Sequence, residues 1–288
     1  MKRTLKLINL ITTALWCWAP FTQLQAIPWW IISSGNYTDS ATPGEFTPYV
    51  ATFDGVNDYM RYKVTTSAPI PTGLADGYSF TFSAHIKMGA SSDGIACRIF
   101  DIADSTGTRY LTVDRTVDNK IFSVARNSSG SVILQYTTTT ATVTESTGWA
   151  HLYICFNMQQ AAGLNKVYIN GVSAAFTTTT YLTSGGVIDM IAGTAPVYTI
   201  GGSGNTSPTE KFKGSMSELW FNDSYLDDLT KFTNSNVPIS LGENGELPFG
   251  IPPVFYFSRA GGGNSWSTNA GTAQSMTVTG TLDTGTYP

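Results

Sequence analysis

Charge is scarce in this chain. Of 288 residues, 16 are Lys or Arg and 20 are Asp or Glu, 12% together, about half the share of an ordinary soluble protein. With a formal net charge of −4 and no basic run, a surface built to track phosphates is excluded, and nucleic acid is not an expected partner. Cysteine is equally thin. Three residues cannot make a disulfide framework, and Cys97 and Cys155 either form one bridge or stay as buried thiols. The two histidines, His85 and His151, belong to no cluster with zinc-ligand spacing. Glycoside hydrolysis requires paired carboxylates at fixed separation, and no strand here carries two or three alternating acids. A G-x-S-x-G elbow and a phosphate-binding loop are missing too. No catalytic residue is expected.

Helical periodicity is nearly absent, and strand alternation takes its place. Phe80, Phe82, Ala84, Ile86 and Met88 share one face of a strand, with Thr81, Ser83, His85 and Lys87 on the other. Ala150, Leu152, Ile154, Phe156 and Met158 repeat the pattern. Val167 and Ile169 lead into Asn170-Gly171, a hairpin signal because both residues tolerate positive φ. Asp54-Gly55 reads as a second such turn. The Thr runs at 137–140 and 177–180 suit a pleat. Many short strands with frequent turn signals predict an all-β sandwich or barrel. One short helix is predicted around Tyr225–Asn234, capped by Asp223 or Ser224.

The chain divides into three stretches. Residues 1–26 begin with Lys2, Arg3 and Lys6, run on through a mostly apolar stretch, and reach Ala26. They read as a secretory signal peptide or as a hydrophobic N-terminal arm, too short for a spanning helix, so no stable membrane insertion of the mature chain is expected. Residues 27–234 hold the main strand pattern. Residues 235–288 are rich in Pro and Gly but also contain Phe249, Val254, Phe255, Tyr256, Phe257 and Trp266. A disordered tail carries few such residues, so this one is expected to pack on the sandwich.

Three segments in one order carry a family resemblance: Phe53-Asp54-Gly55-Val56-Asn57-Asp58-Tyr59; Trp149-Ala150-His151-Leu152 running on to Tyr168-Ile169-Asn170-Gly171; and Gly214-Ser215-Met216-Ser217-Glu218-Leu219-Trp220. From roughly Val50 to Asn222 the chain resembles the concanavalin A-like superfamily in its laminin-G-like form. The resemblance implies a two-sheet antiparallel jelly-roll sandwich with a short β-containing C-terminal appendage. It also implies a binding or structural role rather than an enzymatic one. The tail carries a second resemblance. Pro238-Ile239-Ser240-Leu241-Gly242 through Pro248-Phe249-Gly250, with Tyr256, Ser258 and Thr268-Asn269-Ala270-Gly271-Thr272 beyond, is similar to a segment of bacteriophage and prophage proteins. It implies a virion structural or adhesion protein whose partners are a cell-surface glycan or other virion proteins. The alternatives are a secreted or periplasmic glycan-binding protein, which suits the N-terminus, and a glucanase-type hydrolase.

Two sets of candidate site residues follow. Trp149, His151 and Tyr153 alternate on one strand face and Tyr168 faces the same way, so Trp149, Tyr153, Tyr168 and His85 are the glycan-stacking candidates. The competing reading makes these rings a second hydrophobic layer under the tail. Relatives often carry Trp at the place of His85, and that departure weakens an inherited role. Some relatives bind calcium at a sheet rim. Asp54, Asn57 and Asp58 are the candidates here, against the plainer reading that Asp and Asn are turn formers. No other cofactor is expected.

Overall fold

A computed structural model describes residues 46, 48–140, 142–161, 164–181, 186–193, 195–204, 209–258 and 266–287. The signal-peptide reading of residues 1–26 lies outside them. Residues 46–288 cluster as one unit.

Among the described residues eighteen strands build it. In chain order they are β1 (Tyr49–Asp54), β2 (Tyr59–Lys63), β3 (Ser79–Met88), β4 (Cys97–Ala103), β5 (Arg109–Arg115), β6 (Ile121–Arg126), β7 (Val132–Thr138), β8 (Trp149–Asn157) and β9 (Lys166–Ile169). They continue with β10 (Val172–Ser173), β11 (Phe176–Tyr181), β12 (Val197–Ile200), β13 (Lys213–Asn222), β14 (Thr233–Asn234), β15 (Val237–Pro238), β16 (Phe255–Phe257), β17 (Thr277–Thr279) and β18 (Asp283–Thr286). The first sheet runs β10-β9-β8-β3-β13-β1-β18, with β16 also on β13. The second runs β11-β7-β6-β5-β4-β12-β2-β17. All pairings are antiparallel. This is a two-sheet jelly-roll sandwich.

The alternating apolar residues supply the layer between the sheets. Phe80, Phe82, Leu152, Ile154 and Phe156 from the first sheet meet Phe100, Leu111, Val113, Tyr136 and Tyr198 from the second. Tyr136 stacks on Phe156 at 4.7 Å between ring centroids, and Phe100 meets Phe221 at the same distance. Cys97 and Cys155 are free, buried thiols on different sheets. Asn170 and Gly171 have φ of 53° and 73° and turn β9 into β10, a primed hairpin geometry.

Strand β13 serves two neighbours along one edge. Residues 213–217 pair with β1, whereas Leu219–Phe221 pair with β16. Its register on β3 slips between Ser217 and Trp220, and Glu218 sits at the slip with φ of 50°. A bulge there reverses the facing of the strand. Met216, Leu219 and Phe221 all point into the core despite the odd spacing. The residues after 235 enter both sheets: β16 on β13, β17 on β2 and β18 on β1.

Two local expectations are corrected. The helix expected at Tyr225–Asn234 is a single 3-10 turn, Leu229–Lys231, capped by the Asp228 carboxylate, which accepts from the Thr230 N–H. The apolar spacing of Leu226, Leu229 and Phe232 serves to cover the outside of the first sheet, so it imitates a helix stripe without building one. Asp54-Gly55 is not a hairpin turn. It carries the chain from β1 in the first sheet to β2 in the second, with positive φ only at Gly55 (75°).

Candidate functional site

The outer face of the first sheet gathers all four aromatic candidates, burying Tyr153 and His85 and half-burying Trp149 and Tyr168. Tyr153 lies opposite Tyr168, their rings 6.1 Å apart. Tyr153 is completely buried, with Phe232 at 5.3 Å and its hydroxyl donating to the Leu226 carbonyl. Trp220, Phe232, Leu241 and Tyr256 complete a second apolar layer, with Phe249 packed against it. Trp149 is half-buried under Tyr287, centroids 4.6 Å apart. His85 and His151 stack at 4.3 Å and are each 1% exposed. Ser83 Oγ lies 2.9 Å from His151 Nε2, whereas neither nitrogen of His85 has a hydrogen-bond partner. Burial holds both imidazoles neutral: His151 falls to about 3. His85 is pushed well down by burial and by its histidine neighbour, against a smaller opposing effect of the Asn236 backbone. The rings thus converge, but what covers them is protein.

Glu218, at the β13 bulge, is buried on the same side. Tyr256 donates to its Oε2 at 2.7 Å and Ser258 donates to Oε1. Burial outweighs both contacts and raises the carboxyl to about 8. A proton retained at neutral pH relieves the cost of an isolated buried charge.

Asp54, Asn57 and Asp58 line a cleft of about 320 Å³ with Thr52, Thr281 and Asp283. Burial acts to raise Asp54, but its Oδ1 accepts the N–H groups of Val56, Asn57 and Asp58, and these hold the carboxyl below its ordinary value. Asp58 accepts from Asp54 N through Oδ2 and from Thr281 N through Oδ1. These oxygens staple the turn and tie it to the C-terminal strands. Among the described residues no group of three or more His, Cys, Asp or Glu is placed to hold a metal.

The outer face of the second sheet differs. Register sets side chains in a row across it: Thr277 opposite Arg61, Arg61 opposite Thr199, Thr199 opposite Asp101, Asp101 opposite Thr112, Thr112 opposite Val124, and Val124 opposite Gln135. Sequence reading passed over this row because Thr199, Arg61 and Thr277 come from strands far apart in the chain. The available signal was charge inside strands of a charge-poor protein: Arg98, Asp101, Asp114. In the middle of the row, Asp101 Oδ2 accepts from Gly204 N at 2.5 Å, while Asp101 Oδ1 and Thr199 Oγ1 lack partners. Arg98 donates to Asp114 Oδ2 at 2.8 Å and also to Glu210. Burial raises Asp101 to about 6 and Asp114 to about 8, with Arg98 pulling both back. Two carboxyls with raised pKa invite an acid–base reading. Both are buried, however, and share Arg98, which is the arrangement of a structural ion cluster. At the β2–β17 end the face opens: Arg61 is half-buried, and Lys63, Thr277 and Thr279 are exposed.

Two antiparallel sheets packed face to face, one outer face largely covered and the other polar, define a β-sandwich scaffold. A family model described as the concanavalin A-like lectin/glucanases superfamily, of laminin-G type, matches residues 63–228. The chain belongs to that superfamily. No curated protein matches it. Among solved structures it is similar to a proposed carbohydrate binding protein from Bacteroides ovatus, at 15% identity and TM-score 0.52, over 83% of this chain and 60% of that one. It is similar to the heptameric SAP-like pentraxin of Limulus polyphemus, at 16% identity and TM-score 0.44, over 62% and 77%. The LG1-3 region of the laminin alpha2 chain is similar at 11% identity and TM-score 0.43, over 63% and 32%. The chain thus spans less than two thirds of the Bacteroides protein and about a third of the laminin region. No helix among the described residues is long and apolar enough to cross a membrane.

Proposed function

We propose that this is a non-catalytic glycan-binding protein, encoded by a phage and used in the virion for structure or adhesion. The observation that carries glycan binding is the contrast between the outer faces. That of the first sheet is largely covered by Phe232, Leu241 and Phe249. That of the second carries a cross-strand polar row whose middle, Thr199, Asp101 and Thr112, is buried and whose Arg61–Thr277 end is accessible. Sugar recognition needs such groups on a rigid scaffold. The fold shared with the Bacteroides carbohydrate binding protein supports the same class, although fold alone does not decide function. The phage assignment rests on the Pro238–Gly250 segment. Its competitor is a secreted protein, favoured by the cationic and apolar start of the chain.

A panel of immobilised glycans tests the first claim, with reducing-end release measured in parallel. Binding without release supports a lectin. Release that is abolished by Asp114→Asn or Asp101→Asn would establish a hydrolase instead. N-terminal sequencing of the native protein tests the second claim, since cleavage after Ala26 would place the protein in the secretory route.

A further inference from the structure

The open end of the second sheet's outer face carries positive charge in an acidic protein. A cleft of about 360 Å³ lies there, lined by Arg61, Tyr62 and Lys63 of β2, Ala68, and Ser275, Thr277 and Thr279 on and before β17. Among the described residues its lining offers two cations, three aliphatic hydroxyls and no carboxylate, although the chain as a whole is at −4. The Arg61 guanidinium lies 5.5 Å from the centroid of the Tyr59 ring, a contact that orients its plane. Tyr62 donates its hydroxyl to the Pro69 carbonyl, which ties the Val64–Pro69 turn to the cleft wall. Beyond Arg61 the row continues into Thr199, whose buried hydroxyl lacks a partner, and then into Asp101, the first carboxylate along it.

This chemistry selects a ligand class. Adjacent cations without an acid among the lining residues suit an anionic group. Hydroxyls at alternate positions along one strand edge, about 6.8 Å apart, suit separate hydroxyls of a sugar unit. The volume falls at the small end of ligand pockets, roughly 300–1,000 Å³, enough for a sugar unit or two rather than a polymer groove. We propose that the β2–β17 cleft binds the carboxylate or sulfate of an acidic glycan, with Arg61 and Lys63 pairing with the anion and Ser275, Thr277 and Thr279 hydrogen-bonding the ring hydroxyls. The proposal rests on the glycan-binding reading and narrows it. It also makes the C-terminal segment part of the site, because β17 supplies one wall.

The test uses the full chain and matched pairs of probes: oligogalacturonate against its methyl ester, sialyllactose against lactose, and sulfated lactose against lactose. Wild type should bind at least one acidic member roughly tenfold more tightly than its neutral partner, more weakly as salt rises from about 50 to 300 mM. Lys63→Glu should lose roughly tenfold for the acidic member with unchanged melting temperature, since Lys63 is exposed. Thr277→Val should weaken both members of the pair. Equal affinity for both members, or an unaffected Lys63→Glu protein, would overturn the acidic cleft and leave the lectin reading standing. Competition by inorganic sulfate as strong as by the acidic glycan would reduce the site to a simple anion site and overturn the glycan claim. Binding to no glycan in either this set or the larger panel would remove both readings together.

Discussion

Replacing Glu218 by Gln should erase a specific part of the protein's pH dependence. The carboxyl lies buried at the β13 bulge, accepts from Tyr256 and Ser258, and holds its proton to about pH 8. An unfolded chain releases that proton near 4.5. Between those values the folded state binds a proton that the unfolded state has lost, so stability falls as pH rises through the window. At about 1.4 kcal/mol for each tenfold difference in proton affinity, the full window corresponds to at most about 5 kcal/mol, with some 3 kcal/mol already gone at pH 7. Gln keeps the shape and the hydrogen-bonding capacity but cannot titrate. Urea denaturation of both proteins at pH 4.5, 6, 7.5 and 9 measures the effect as a difference, in which all other titrations cancel. Wild type should lose about 3–5 kcal/mol relative to the variant across the series. Parallel profiles would refute the argument, because they would mean that Glu218 ionises normally within the fold.

Three further outcomes follow from the geometry. His85 and His151, the only histidines, should stay neutral at pH 5 by long-range ¹⁵N–¹H spectra, and their need to stay neutral should lower stability as pH falls below 6.5; a titration midpoint near 6.5 for either ring would show the pair to be solvated. Gly171→Val forces a β-branched residue to φ of 73° and brings its Cβ to 3.2 Å from Asn236 Oδ1, which should cost about 1–3 kcal/mol in chemical denaturation; an unchanged midpoint would deny the strain. Calcium should leave the melting temperature unchanged, because Asp54 and Asp58 already accept backbone N–H groups; a concentration-dependent rise would turn the 320 Å³ cleft into a cation site.

The sandwich was legible because a half-buried strand has period two, and that period is unbroken in Phe80–Met88 and Ala150–Met158. Asn170-Gly171 was legible because few residue pairs accept two consecutive positive φ values. The 3-10 turn at Leu229–Lys231 was not. Apolar residues at three-residue spacing serve equally to face a helix inward or to seal a sheet, and only the sheet beneath them decides. The same ambiguity touched Trp149, Tyr153 and Tyr168: alternation placed them on one face but could not say what lies on top. The Arg61–Gln135 row was beyond sequence reading for a different reason. Its order is set by strand neighbours, and β12, β2 and β17 are adjacent in space while far apart in the chain.

Among the described residues the last strands close upon the first. Thr281 donates to Asp58 across 223 positions, β18 flanks β1, and β17 flanks β2. Such pairings carry a heavy loop-closure cost and form late. During synthesis β1 and β2 emerge early and wait, each with one edge open, until β17 and β18 have been made. The ribosome therefore acts as a timer on this domain. Nascent chains arrested before Thr277 should be cut readily by protease, and those in which Tyr287 has cleared the ribosome should resist it. If arrested chains already resist, the sandwich closes without its final strands.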